Sequence, residues 1–96
     1  MNMEFNNFYL IEMKKLMLGL AERGISFTFQ QVFDGFKLDV PSQDWDAICH
    51  SGSYGCYSAL LEVMGAKVNR NPHDSVEGFL TAEEILKRVD ENERGE

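Results

Sequence analysis

The sequence predicts an α+β domain: a three-stranded antiparallel meander preceded by a long helix and followed by two more, in the order α-β-β-β-α-α. Three observations carry this expectation. Apolar and polar residues alternate from Phe27 to Cys49, punctuated by the turn formers Asp34-Gly35 and Pro41-Ser42-Gln43. Upstream, apolar residues recur at helical spacing as far as a stop at Gly24. Downstream, Thr81-Ala82-Glu83-Glu84 has the pattern of a helix start.

The first helix is expected over residues 4–22. Phe5, Phe8, Tyr9, Met13, Leu16, Met17 and Leu20 make one face, widened by Leu10, Ile11 and Leu18, as suits a helix lying across a sheet. Asn2, Asn6 and Asn7 are candidate N-caps, and Gly24 supplies a left-handed stop. Residues 25–33 form the first strand, with Phe27 and Phe29 on one side and a bulge expected where Gln30-Gln31 breaks the alternation. Asp34-Gly35 then reads as a tight hairpin turn, with the glycine at positive φ. Phe36, Leu38 and Val40 face inward on the return strand, and Trp45, Ala47 and Cys49 on a third.

A second helix is expected at about Tyr54–Met64, capped by Ser53, burying Tyr57, Leu60, Leu61 and Met64 and ending at Gly65. Ala66–Gly78 reads as an irregular segment. The last helix opens with a capping box between Thr81 and Glu84, with Leu80 and Ile85 placed as a hydrophobic staple. Residues 1–90 form the single domain, and the apolar-free segment 91–96 is an acidic tail expected to fray from Asp90 onward. Phe27, Phe29, Phe36, Leu38, Trp45, Ala47, Cys49, Leu60 and Leu86 are the expected core.

At 96 residues and 44% hydrophobic content the chain has enough apolar surface to fold, but only enough for one modest core. Its most apolar run, Leu16–Leu20, is far short of the roughly 20 residues a bilayer span needs. The opening Met1-Asn2-Met3-Glu4 lacks a basic export leader, so a cytoplasmic protein with two free thiols is expected. A net charge of −7 argues against a phosphate-binding footprint, and direct nucleic-acid binding is not expected. The acids are unevenly spread: residues 34–64 hold Asp34, Asp39, Asp44, Asp46 and Glu62 against Lys37 alone.

Cys49, His50, Cys56 and His73 are the residue types zinc takes, but adjacent Cys49 and His50 on a strand point to opposite faces. The same divergence argues against a Cys-His nucleophile pair. Asp44 and Asp46 share a face without an apolar pocket that would raise one of them into a general acid. No catalytic residue, metal site or cofactor is therefore expected. The turn Ser51-Gly52-Ser53-Tyr54-Gly55 is the other candidate: its glycines let backbone approach a ligand, and a helix N-terminus behind it would present free N–H groups to an anion. No Lys or Arg adjoins it, and its pattern is not a nucleotide-binding fingerprint.

The stretch Asp46–Tyr57, with Leu60–Gly65 and Asp74–Glu84, resembles small hypothetical proteins of phages and mobile elements of Gram-positive bacteria, over about residues 44–90. No activity comes with that resemblance. The expected order of elements, together with the acidity, is also similar to that of small acidic anti-CRISPR proteins, a likeness of topology and charge that transfers no residue.

The leading expectation is a non-enzymatic inhibitor acting in the host cytoplasm. Asp34, Asp39, Asp44, Asp46, Glu77, Glu83 and Glu84 would occupy a basic, nucleic-acid-binding surface of a host protein by mimicking phosphates. No membrane contact is expected, and a homodimer is allowed. The alternative is a small-ligand or nucleotide sponge using Ser51, Gly52, Ser53, Tyr54 and Gly55, with Tyr54 or Tyr57 stacking on the ligand.

Overall fold

A computed structural model describes residues 7–95. The expected helix start at residues 4–6, with the candidate caps Asn2 and Asn6, lies outside them, as does Glu96. The order of elements is a 3-10 turn at Asn7–Leu10, α1 at Ile11–Glu22, β1 at Thr28–Val32, β2 at Gly35–Val40 and β3 at Trp45–Cys49. β4 at Leu61–Met64, β5 at Val76–Leu80 and α2 at Ala82–Glu93 follow. The strands form one antiparallel sheet in the order β1-β2-β3-β4-β5.

The α+β class holds, but the expected three strands and three helices do not. The segment Tyr54–Met64 is not a helix. Gly55 and Ala59 sit at φ 99° and 60°, which limits helical structure to a single 3-10 turn at Cys56–Ser58. Leu61 and Val63 then point into the core while Glu62 and Met64 point out, the period of a strand. This strand pairs with β3 through Asp46 opposite Met64, Ala47 opposite Val63 and Ile48 opposite Glu62. The segment expected to be irregular supplies the fifth strand, Val76–Leu80, on the far side of β4.

Two smaller expectations are also corrected. β1 pairs with β2 without interruption from Thr28 opposite Asp39 to Val32 opposite Gly35, so Gln30-Gln31 is not bulged. The bulge lies between β4 and β5 instead, where Leu61 pairs with Leu80 and Val63 with Glu77, leaving Gly78 and Phe79 opposite Glu62. In the first hairpin the positive φ falls on Phe33, at 54°, rather than on Gly35. Gly35 is required for a different reason. A Cβ there would collide with the Cys49 carbonyl and lie 2.6 Å from the His50 Cβ.

One face of the sheet is covered and the other is open. Phe36, Leu38 and Val40 of β2, Trp45, Ala47 and Cys49 of β3, and Leu61 and Val63 of β4 meet Met13, Leu16 and Leu20 of α1 and Ile85 and Val89 of α2 in a single core. β1 stays exposed along residues 28–31. The three central strands, β2 to β4 and about 4.8 Å apart, are already wider than one helix of roughly 10 Å covers, so a second helix is needed over them. α2 supplies it, lying beside α1. The Arg23 Nε and Nη2 groups donate to the two Asp90 oxygens at 2.7 and 2.9 Å, and the Ala82 N–H donates to Glu12 at 2.8 Å.

The capping box forms as the sequence indicates, Glu84 N–H on the Thr81 hydroxyl and Thr81 N–H on the Glu84 carboxylate. α2 continues through the stretch expected to fray, with Asp90 tied to Arg23 and Asn92 donating to the Lys67 carbonyl. Of the expected core, Phe36, Leu38, Trp45, Ala47 and Cys49 are buried, and Phe27 and Leu86 pack against it in part. Phe29 lies at the rim of the sheet, stacked on Phe36 at 5.3 Å, and Leu60 is half-buried beside the 3-10 turn.

Candidate functional site

Strand alternation decides which side chains the open face carries. Because Phe36, Leu38, Ala47, Cys49, Leu61 and Val63 face the helices, their neighbours Lys37, Asp39, Asp46, Ile48, Glu62 and Met64 face the other way. The register sets Asp39 directly opposite Asp46, and places Lys37 and Glu62 on either side of Ile48. Asp44 follows the 3-10 turn Pro41–Gln43 at φ 60°, a conformation its short polar side chain tolerates. Asp39, Asp44 and Asp46 thus line one shallow hollow of about 470 Å³ with Thr28, Trp45 and Met64.

The electrostatics of the hollow are unbalanced. Half-burial raises the Asp46 carboxyl above its ordinary range; Lys37 opposes the shift, and Asp39 and Glu62 reinforce it. The Lys37 Nζ lies 3.8 Å from an Asp39 oxygen, and no Lys or Arg is among the described residues that line the hollow.

The other expected acids are elsewhere and are engaged. Asp34 sits in the first hairpin turn and accepts from the Ser51 N–H at 3.0 Å, the main reason its carboxyl lies below the usual range. Glu77 accepts from both Arg88 Nη atoms, at 2.8 and 3.2 Å, and from the Arg70 N–H at 2.7 Å; the Arg88 contact is the largest cause of its lowered pKa. Glu84 closes the capping box, and Glu83 is exposed in the first turn of α2. Glu62, which belongs to the face, is missed when residues 54–64 are read as a helix. The alternation Leu61-Glu62-Val63-Met64 is the signal that places it.

The turn Ser51–Gly55 forms a second, separate region. Ser53 is buried but caps no helix. Its hydroxyl donates to the His50 carbonyl at 2.8 Å and accepts the His50 N–H at 3.1 Å, closing the end of β3. The Ser51 N–H is taken by Asp34 and the Tyr54 N–H by Glu62, at 2.8 Å, so carboxylates of the chain itself already occupy these donors. Gly52 and Gly55 both adopt positive φ, 97° and 99°. The turn docks on β5 through the Phe79 N–H, which donates to the Tyr54 carbonyl at 3.2 Å. Gly52, Tyr54, Gly55, Tyr57, Ser58 and Phe79 line a cleft of about 270 Å³ there.

Both cysteines are unbridged and buried, and burial pushes the Cys49 thiol up to about 12, far from a reactive thiolate. Among the described residues no group of three His, Cys, Asp or Glu side chains can hold a metal ion. No helix among them is long and apolar enough to cross a membrane. Comparisons with protein families, with curated proteins and with solved structures find no match to this chain.

Proposed function

We propose that this chain is a non-enzymatic interaction protein whose open sheet face engages a basic surface of a partner protein. The single observation that carries the reading is the placement of Asp39 directly across the ladder from Asp46, with Asp44 in the same hollow and Glu62 nearby. Like charges set opposite one another destabilise an antiparallel pair by a few tenths of a kcal/mol up to about 1. Neither carboxylate packs in the core, since both point away from it, and one Lys37 ammonium offsets the pair only in part. A local rule broken in this way is what a functional surface leads one to expect.

A basic partner removes that repulsion and adds long-range steering, so binding is fast and sensitive to salt. The finer reading is an inhibitor carried by a phage or mobile element and directed at a nucleic-acid-handling protein of its host cytoplasm. The acidity supports it. The likeness to anti-CRISPR proteins keeps only that half of its basis, because the order of elements it rested on is not the order observed.

Wild-type chain and an Asp39→Asn/Asp46→Asn double variant, immobilised in parallel and exposed to host lysate, test the proposal. A basic protein retained by wild type, released by salt and lost from the variant is the expected result. Retention that is equal for the two chains, or indifferent to salt, refutes it.

A further inference from the structure

We infer that the cleft between the Ser51–Gly55 turn and β5 is a binding site for a small organic cation, an alkylammonium group held against aromatic rings. Three aromatic side chains line it although none is needed for the core: Tyr54, Tyr57 and Phe79 are 55%, 97% and 67% exposed. Among the described residues none of the three stacks on another ring. Aromatic faces carry a negative quadrupole that attracts cations, most strongly those with weakly hydrated alkyl groups around the charge.

The backbone is built to hold Phe79 at this place. The bulge sets Gly78 and Phe79 opposite Glu62, and Phe79 adopts φ 61°, a region that L-residues with bulky side chains seldom occupy. Burial cannot be the return for that strain, because the ring is mostly in solvent. Gly55 and Gly78 let the turn and β5 come close enough to close the cleft floor. A Cβ on Gly55 would lie 2.9 Å from the Phe79 nitrogen, and one on Gly78 would lie 2.7 Å from the Tyr54 carbonyl oxygen.

Charge and size select the ligand. No Lys or Arg lines the cleft, and the Ser51 and Tyr54 N–H groups that could have met an anion are already held by Asp34 and Glu62. Those carboxylates, with Asp74 beside Tyr54 and Phe79 in the adjoining depression, favour a positive guest; Glu77, in the same depression, is already paired with Arg88. A nucleotide is therefore excluded on charge. At about 270 Å³ the cleft is small, at the low end of ligand pockets. The cleft takes a single group such as a trimethylammonium head or a methylated lysine tip. Glu62 is shared with the sheet face, but Asp39, Asp44 and Asp46 do not line this cleft, so either reading can fail without the other.

Choline is the probe, titrated into the isotopically labelled chain while backbone amide resonances are followed. Its uncharged carbon analogue, in which a quaternary carbon replaces the nitrogen, is the control. Saturable shifts confined to the amides of Gly52–Ser58 and Phe79, with an affinity in the millimolar range, are expected for choline and not for the analogue. Tyr57→Ala, at a side chain too exposed to affect folding, should weaken binding about two- to thirtyfold, and Tyr57→Phe should leave it nearly unchanged. Absence of saturable shifts, equal shifts with the analogue, shifts confined to the Asp39–Asp46 face, or an unaltered affinity in Tyr57→Ala would each overturn the proposal.

Discussion

At the scale of single residues, four positions separate structural from binding roles. Asp46 is a charge that the fold carries at a cost, so Asp46→Asn should raise stability at neutral pH by about 0.5–1 kcal/mol, read as a higher urea midpoint with an unchanged slope. Ser53 is the reverse case. Its buried hydroxyl accepts the His50 N–H, and Ser53→Ala should lose about 1–3 kcal/mol in the same melts by leaving that donor unpaired, while the His50 carbonyl keeps the Ser53 N–H. Gly52 and Gly55 share a positive φ but not an environment: a Cβ on Gly52 meets nothing within 4 Å, whereas one on Gly55 presses on Phe79 and Leu60. Gly52→Ala should therefore cost only the backbone strain, about 1 kcal/mol, and Gly55→Ala clearly more.

At the scale of elements, β4 and β5 owe their existence to each other and to β3. A strand as short as Leu61–Met64 has little local preference to offer. What holds it is pairing on both sides, with Leu61 and Val63 buried between β3 and the helices. Gly78 is where that arrangement is most exposed to a small change. A methyl group there would push into the Tyr54 backbone, and Gly78→Ala should cost about 1–3 kcal/mol. Hydrogen exchange should locate the loss: the amides of β5 and the Ser51–Gly55 turn lose protection together, while the β1–β2 hairpin keeps its own. Equal loss of protection across all five strands would show that the far half of the sheet is not a separate weak unit.

At the scale of the whole molecule, titration divides the acids into two groups of opposite sign. Glu77, beside Arg88, and Asp34, on the Ser51 N–H, have lowered values in the folded state. So does Asp90, hydrogen-bonded to Arg23. Their contributions are present above the unfolded carboxylate range near pH 4 and are lost as pH falls through the depressed folded values. Asp46 has a raised value, so its contribution is complete below the unfolded range and is lost as pH rises through the folded one. Chemical melts across pH should show wild type losing stability towards strong acid, with the loss blunted in Glu77→Gln. Asp46→Asn should gain at neutral pH and gain nothing in acid. A gain that persisted in acid would show that the benefit is not relief of charge.

Much of this was legible in the residues. The alternation from Phe27 to Cys49 contains β1, β2 and β3, the Thr81–Glu84 pattern contains the start of α2, and the small residues of Ser51–Gly55 contain a turn with positive φ. Each of these rests on interactions within a few positions, which is why local chemistry alone determines them. Leu60-Leu61-Glu62-Val63-Met64 is different, because so short an apolar run fits helical and strand periods alike. The open edge of β3 settles it, by offering unpaired backbone groups that only another strand can satisfy.

The same non-local pairing sorts the acids. Sequence alone establishes that the middle of the chain is acidic. Tertiary structure decides that Asp34, Glu77 and Glu84 are consumed by Ser51, Arg88 and the Thr81 cap, while Asp39, Asp44 and Asp46 are gathered on an open face. Charge is written residue by residue; which charges meet a partner within the fold depends on strands and helices brought together from distant parts of the chain.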